Sequence, residues 1–476
     1  MHYNIRNLIQ IKKEYPLYKF FSNEIKKIII NGRISENQKL PPTRILAKDL
    51  NISRSTALRI YDILLFEGFI SSKKGSGYYV NYKTSSKKEK TPINKLRYPK
   101  LSKKSELFSK NKYLSTDNFS KTGIAFRPGL PPLDIFPVNK WKNISNTYWR
   151  LSKPSDLSYA PSLGLDRLRV NISNYLKIYR NIRCDYNQII ITSGSLHSLY
   201  LISNSLLDKG DKIGMENPTF PRAFNLFKSL KANIIPCEID KEGIVLNNLN
   251  TKVKFIYTTP SNQYPSGVKM SINRRNEVLK WISNNNSIII EDDYDHEFSN
   301  ITNPLPSLYS LDNEDRIVYL GTFNKLLHPS LRIGYIIVPK FMLKSIISIY
   351  EQSFRFVPSS TQEIMSTFIE KDYLNKHIRN VLEIASKRKE MFISKTKESL
   401  LINKKKNNGL HLVANFNKKN NDLKIFKSLL KENVVAYPLS NYYITKKKDS
   451  GLVMGYCSVN SKVLKEKANI INKILN

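Results

Sequence analysis

The stretch GTFNKLLHPSLRIGY, Gly321–Tyr335, decides the fold. It carries the end of one β-branched run, RIVYLGT, and the start of another, IGYIIV, with Asn324, Lys325 and, seven residues on, Arg332 between them. Upstream, the short runs IIIT, FIYTT and SIIIED alternate with longer amphipathic stretches from about Gly123 onward. Short β-branched runs alternating with helical patterns predict βα units around a mainly parallel sheet, a large α/β domain of roughly 350 residues.

Open α/β sheets bind ligands beyond the carboxyl ends of their strands, and polar groups follow several of these runs. After IIIT come Ser193, Gly194 and Ser195, a hydroxyl and amide cluster placed to open a helix and hold an anion. After FIYTT come Pro260 and NQYPSG with Tyr264, and SIIIE leads into Asp292, Asp293 and Tyr294. Together these residues supply what pyridoxal 5′-phosphate needs: a lysine for a Schiff base, a carboxylate for the pyridine nitrogen, and an arginine with helix-start donors for the phosphate. A phenol and an aromatic face complete the set.

The order and spacing resemble fold-type I aminotransferases, and more closely the aminotransferase-like domain of MocR regulators. That resemblance implies a mainly parallel sheet with a smaller C-terminal α+β subdomain. It makes Lys325 the cofactor lysine and Arg332 the phosphate ligand, with Ser193, Gly194, Ser195 and Asn324 lining the phosphate. It sets Asp292 on the ring nitrogen, Tyr294 near the 3-oxygen, Phe220 of ENPTFPR against the ring and Tyr264 beside it, while Arg222 matches a position that can receive an effector carboxylate. Departures from the family pattern are Asn324 in place of the usual serine, Asn262 in place of histidine, and Leu196-His197 in place of a glutamine pair. No arginine occurs in DSGLVMGYCSVN, where many aminotransferases hold the substrate carboxylate. The cofactor core is better kept than the substrate shell, which favours sensing over turnover.

Toward the N-terminus, PLYKFFSNEIKKIIINGRI puts Phe20, Ile25, Ile28 and Ile29 on one helical face before a stop at Gly32. Two further helices follow, separated by a short turn at Asn51-Ile52 and with Ser53 as N-cap. This is helix-turn-helix geometry. Arg54, Ser55 and Thr56 open the second of these helices, and Arg44 stands at the start of the one before. The run SSKKGSGYYV reads as a two-stranded wing with Lys73 and Lys74 near a turn at Gly75, Ser76 and Gly77. The ordered string Leu40, Pro41, Arg44, Leu46, Ala47, Ser53, Arg54, Thr56, Glu67, Gly68, Gly75, Gly77 and Val80 resembles the GntR-type winged helix. The DNA contacts then fall on Arg44, Arg54, Ser55, Thr56 and the wing with Lys73, Lys74 and Gly77.

These modules divide the chain into a winged helix over 1–82, a basic flexible linker over 83–120 rich in Lys and Ser, and the cofactor domain over 121–476. The formal net charge of +38 would draw the protein to polyanions. Lys, Asn and Ile are abundant throughout, as an AT-rich genome would produce, so charge alone does not establish DNA binding. No run of about 18 apolar residues suggests a membrane span. Cys184, Cys237 and Cys457 fit neither a disulfide framework nor a metal spacing, and His197, His296 and His328 also lack ligand spacing. No metal and no membrane are expected, and the location is the cytoplasm of a bacterium, on the nucleoid when DNA-bound.

The first functional reading is a transcription regulator that senses pyridoxal phosphate, or an amino compound through an external aldimine. Its partners are an operator in double-stranded DNA and a small-molecule effector, and it controls vitamin B6 or amino-acid metabolism. The resemblance also implies a domain-swapped, head-to-tail homodimer. The alternatives are an active aminotransferase with an accessory DNA-binding arm and a regulator that has lost its cofactor. Full turnover is not expected, while a transamination half-reaction stays open.

Overall fold

Three short helices and a hairpin make up the N-terminal part of the computed structural model, which describes residues 5, 16–83, 100–110, 126–247, 249, 252–298, 305–396, 400–402, 409–416, 421–445 and 449–475. They are α1 (Leu17–Ile30), α2 (Thr43–Leu50), α3 (Arg54–Phe66), β1 (Ile70–Lys73) and β2 (Gly77–Val80). On α1 the buried face is Phe21, Ile25, Ile28 and Ile29. The expected stripe is corrected at one position: Phe21, not Phe20, completes it, because 21, 25, 28 and 29 follow the helical period and Phe20 sits about a quarter turn away. Phe20 instead packs edge-on against Phe21, with ring centroids 5.2 Å apart. Buried Tyr61 of α3 donates its hydroxyl to the Pro41 carbonyl at 2.6 Å, tying α3 to the segment that leads into α2.

Contacts divide the chain after Lys100 into two compact units. Of the linker expected over 83–120, residues 84–99 and 111–120 lie outside the described residues, and Lys103–Lys110 form a helix, α4.

The second unit is built on an eight-stranded sheet in the order β3-β10-β9-β8-β7-β4-β5-β6. Its strands are β3 (Ile189–Thr192), β4 (Lys212–Asn217), β5 (Asn233–Asp240), β6 (Gly243–Ile244), β7 (Phe255–Thr258), β8 (Ile288–Asp292), β9 (Ile317–Thr322) and β10 (Gly334–Ile337). The pairs β5–β4, β4–β7, β7–β8 and β8–β9 are parallel. β10 runs antiparallel to both of its neighbours, so the strand read from IGYIIV enters the sheet against the majority direction. Its amino end therefore meets the carboxyl ends of β3 and β9, with Gly334 opposite both Thr192 and Thr322. Strands such as β3, β7 and β9 are buried along their whole length, which explains their unbroken apolar runs. The helices α5 (Val138–Leu151), α6 (Asp166–Arg180), α7 (Ser195–Leu206) and α8 (Pro221–Ser229) belong to this unit.

A second, antiparallel sheet in the order β11-β12-β14-β13 forms the smaller C-terminal α+β subdomain. Its strands are β11 (Leu401–Ile402), β12 (His411–Asn415), β13 (Tyr437–Pro438) and β14 (Gly451–Gly455). The helix Tyr373–Thr396 packs against the last helix, Ser461–Leu475.

Candidate cofactor site and candidate DNA-reading end

The carboxyl ends of β3, β8 and β9 converge. Lys325, three residues beyond β9, donates its Nζ to the Gly129 carbonyl at 3.0 Å. Desolvation lowers the Lys325 pKa against the opposing pull of Asp295 and Asp292, and Arg222 and Arg127 lower it further. Gly129 has φ +72°, and a Cβ there would stand 2.5 Å from Nζ, so glycine is what lets the backbone approach the amine.

Asp292 ends β8 with its side chain buried. Oδ2 accepts from the Tyr257 hydroxyl at 2.8 Å, while Oδ1 is a buried acceptor without a hydrogen-bond partner among the described residues. Burial pushes this carboxyl up to about 7, partly offset by the Tyr257 hydrogen bond. The next residue behaves oppositely: Arg180 lies 2.8 Å from Asp293 and Tyr319 donates to it at 2.7 Å, so despite desolvation Asp293 is held below the usual carboxylate range. Adjacent carboxylates thus take different roles because alternate residues of a strand face opposite sides.

Gly194, with φ +98°, stands between β3 and α7. A Cβ built on it lies 3.0 Å from Asn324 Nδ2 and 3.7 Å from Arg332 Nη1, so a positive-φ turn, a carboxamide and a guanidinium meet at the start of a twelve-residue helix. Gly334 permits this turn, since a Cβ there would be 2.8 Å from the Gly194 Cα. Ser195 opens the helix. Ser193 donates its backbone N–H to His197 Nδ1 at 3.0 Å, which leaves its hydroxyl as the remaining donor. Burial and Arg332 push His197 down to about 4, so the imidazole is neutral and accepts through Nδ1.

Tyr264 is ringed by aromatic groups: Phe220 and Tyr294 edge-on at 5.7 and 5.8 Å, His411 at 4.8 Å and Tyr442 at 5.6 Å. The Tyr294 hydroxyl donates to the Asn262 carbonyl at 3.0 Å. Arg222, second residue of α8, is exposed.

Pattern reading missed Tyr257, Gly129, Arg127, Asp295 and His411. Asp295 accepts from Asn262 Nδ2 at 2.8 Å and is raised well above the carboxylate range by burial. His411 Nε2 meets the Pro265 carbonyl at 3.0 Å, and burial lowers its pKa to about 4. Asp295 stood in view in DDYD and Arg127 in FRPG, but only the fold brings them to Lys325. Among the described residues, no group of His, Cys, Asp and Glu is arranged to hold a metal, and no helix is long and apolar enough to cross a membrane.

In the first unit, Asn51 closes α2 in the left-handed region, φ 53° and ψ 53°. Ser53 caps α3 by accepting from the Thr56 N–H at 3.1 Å. The Ser55 and Thr56 hydroxyls, expected to touch DNA, are tied to Ser53 Oγ at 2.8 and 2.7 Å. Arg54 and Arg44 stand exposed at the starts of α3 and α2. In the hairpin Lys73 pairs with Gly77, and Lys73 Nζ lies 4.9 Å from the Tyr79 ring centre, while Lys74 is exposed in the turn.

Residues 127–470 match the family model described as aminotransferase class I and II, and residues 17–80 match bacterial regulatory proteins of the gntR family. The chain is 28% identical over 461 residues to the probable rhizopine catabolism regulatory protein MocR of Rhizobium meliloti, covering 96% of this chain and 93% of that one. It is 31% identical to the HTH-type transcriptional regulator YdeL of Bacillus subtilis, over 95% of each. Among solved structures, a multiple substrate aminotransferase from Thermococcus profundus superposes with a TM-score of 0.70 at 22% identity, covering 79% of this chain and 97% of that one.

Proposed function

The chain belongs to the aminotransferase class I and II family, in the branch of gntR-type regulators that includes MocR, and on that premise we propose that it is a transcription regulator whose second unit binds pyridoxal 5′-phosphate at Lys325 and reads an amino compound there. The observation that carries the cofactor assignment is Asp292 Oδ1, a buried acceptor with no partner among the described residues, at the same carboxyl end of the sheet as Lys325. Leaving such an atom unpaired costs about 1–3 kcal/mol, which a protonated pyridine nitrogen would recover.

Bound pyridoxal phosphate supplies an electrophilic carbon and an electron-accepting ring. Everything else is the work of the chain. Lys325, its pKa lowered by desolvation and its Nζ oriented by the Gly129 carbonyl, would hold the cofactor through its amine. Tyr257 fixes the Asp292 carboxylate through Oδ2, which would leave Oδ1 for the ring nitrogen. Arg332, Asn324 Nδ2, Ser195 and the Gly194 turn would hold the phosphate, with the Ser193 hydroxyl as a further donor. Phe220 and Tyr264 border the ring, Tyr294 positions Asn262, and Arg222 receives an effector carboxylate.

At the other end, α3 enters the major groove with Arg54 on a base edge or phosphate, Arg44 on phosphate, and the wing carrying Lys73, Lys74 and Gly77 along the backbone. The protein works in the cytoplasm on operator DNA as a homodimer exchanging domains head to tail. Effector binding changes operator affinity to the extent that the two domain arrangements bind it differently. Steady transamination is the weaker reading, because β14, Gly451–Gly455, carries no charged residue to hold a substrate carboxylate.

The deciding experiment is an absorbance titration of the full chain with pyridoxal phosphate, followed by borohydride reduction and peptide mapping, in wild type and Lys325→Ala. A visible band that reduces onto Lys325 supports the reading. Its absence at saturating cofactor leaves a DNA-binding protein on an inert scaffold, and keto-acid-dependent turnover of many cycles would make it an enzyme instead.

A further inference from the structure

Arg127 lies two residues before Gly129, whose carbonyl accepts from Lys325 Nζ at 3.0 Å, and Arg222 stands exposed in the first turn of α8. Neither Arg127 nor Arg222 makes a hydrogen bond or ion pair among the described residues, and both are close enough to Lys325 to depress its pKa. The acids nearest the lysine are engaged elsewhere, Asp292 with Tyr257 and Asp295 with Asn262. Those partners are neutral donors, and no acidic side chain among the described residues pairs with either arginine.

How Arg127 reaches this place is specific. The Gly455 N–H at the end of β14 donates to the Phe126 carbonyl at 2.8 Å, and the Arg127 carbonyl lies where any Cβ on Gly455 would stand. Two residues on, Gly129 accepts from Lys325. The segment 126–129 is thus pinned at one end to β14 and at the other to the reactive amine. β14 offers no cation of its own, yet it provides the ledge on which one is delivered. Phe126 takes a left-handed φ of +62° at this ledge, a conformation uncommon for a bulky residue and held here by the docking.

We infer that Arg127, docked on β14, joins Arg222 in binding the carboxylate of the effector, so that the effector is an amino acid and not a simple amine. This rests on the cofactor reading above. A pair of arginines suits a planar carboxylate through bidentate hydrogen bonds, and the aromatic ring around Tyr264 is left for the rest of the effector.

The test uses the cofactor-loaded full chain. Each of the twenty L-amino acids is titrated against the visible band alongside its decarboxylated amine, with taurine as a sulfonate control, in wild type, Arg127→Gln, Arg127→Lys and Gly455→Ala. At least one amino acid is expected to perturb the band at a concentration about tenfold or more below that of its amine. In chain saturated with cofactor, Arg127→Gln raises the half-saturating amino-acid concentration by about tenfold or more, and Arg127→Lys by less. Gly455→Ala behaves like Arg127→Gln. The inference is overturned if amines bind as well as amino acids, if taurine outperforms every carboxylate, if no amino acid perturbs the band, or if Arg127→Gln binds amino acids as wild type does. A wild-type chain with no visible band before any amine is added fails the cofactor reading itself, and the inference falls with it.

Discussion

Lys325 Nζ and the Gly129 carbonyl are 3.0 Å apart, although 196 positions separate the residues in sequence. The contact places the reactive amine of one strand end under the segment that enters the domain. It also makes Gly129 sensitive. Gly129→Ala puts a methyl group 2.5 Å from Nζ on a backbone at φ +72°, strain of about 1–2 kcal/mol before the clash is counted. The second unit is expected to unfold at lower urea, by about 1–2 kcal/mol of stability, with the winged helix untouched. An unchanged midpoint would show that the segment relaxes to accept the methyl group.

Asp292 sets a pH dependence. Its folded pKa is raised to about 7 by burial, above the unfolded value of about 3.9. The cofactor-free folded chain therefore holds a proton that the unfolded chain releases between pH 4 and 7. The stability contributed by the protonated form is complete below about pH 4 and is lost as pH rises through 7. Asp292→Asn cannot ionise, so its stability relative to wild type should grow from pH 5 to pH 8 by on the order of a few kcal/mol in urea unfolding. A gap independent of pH would mean that Asp292 stays ionised throughout.

His197 serves the phosphate turn as an acceptor. Its Nδ1 takes the Ser193 N–H at 3.0 Å, and burial keeps the ring neutral. His197→Gln can keep that acceptor, and cofactor affinity should stay within about threefold of wild type. His197→Leu orphans the N–H at a cost of about 1–3 kcal/mol, read as a lower unfolding midpoint and weaker cofactor binding. Equal behaviour of the two variants would assign His197 a packing role only, against Phe354 and Tyr350.

Arg54 and Arg44 are exposed at two helix starts and are expected to differ on DNA. On an operator selected from random duplexes by the wild-type protein, Arg54→Ala should cost about 1–3 kcal/mol and relax the selected sequence if it reads a base. Arg44→Ala should weaken binding across sequences and lower the salt slope by about one. Loss of sequence preference with Arg44→Ala alone would reverse the two roles.

Much of this protein was legible in order and spacing. The Asn51 turn and the Ser53 cap could be read because capping is local, decided within a few residues. Strands such as IIIT and RIVYLGT could be read because a sheet covered on both faces demands unbroken apolar runs. Lys325, Asp292 and Gly194 fell at the ends of such runs, where α/β sheets place ligands. The tertiary structure alone decided what long-range contact controls: β10 running against its neighbours, Phe21 facing the core in place of Phe20, and Tyr257 holding Asp292. It also decided that the Arg127 backbone meets Gly455 and that Gly129 meets Lys325. Those pairings join residues tens to hundreds of positions apart, and a local pattern carries no record of which distant backbone will pack against it.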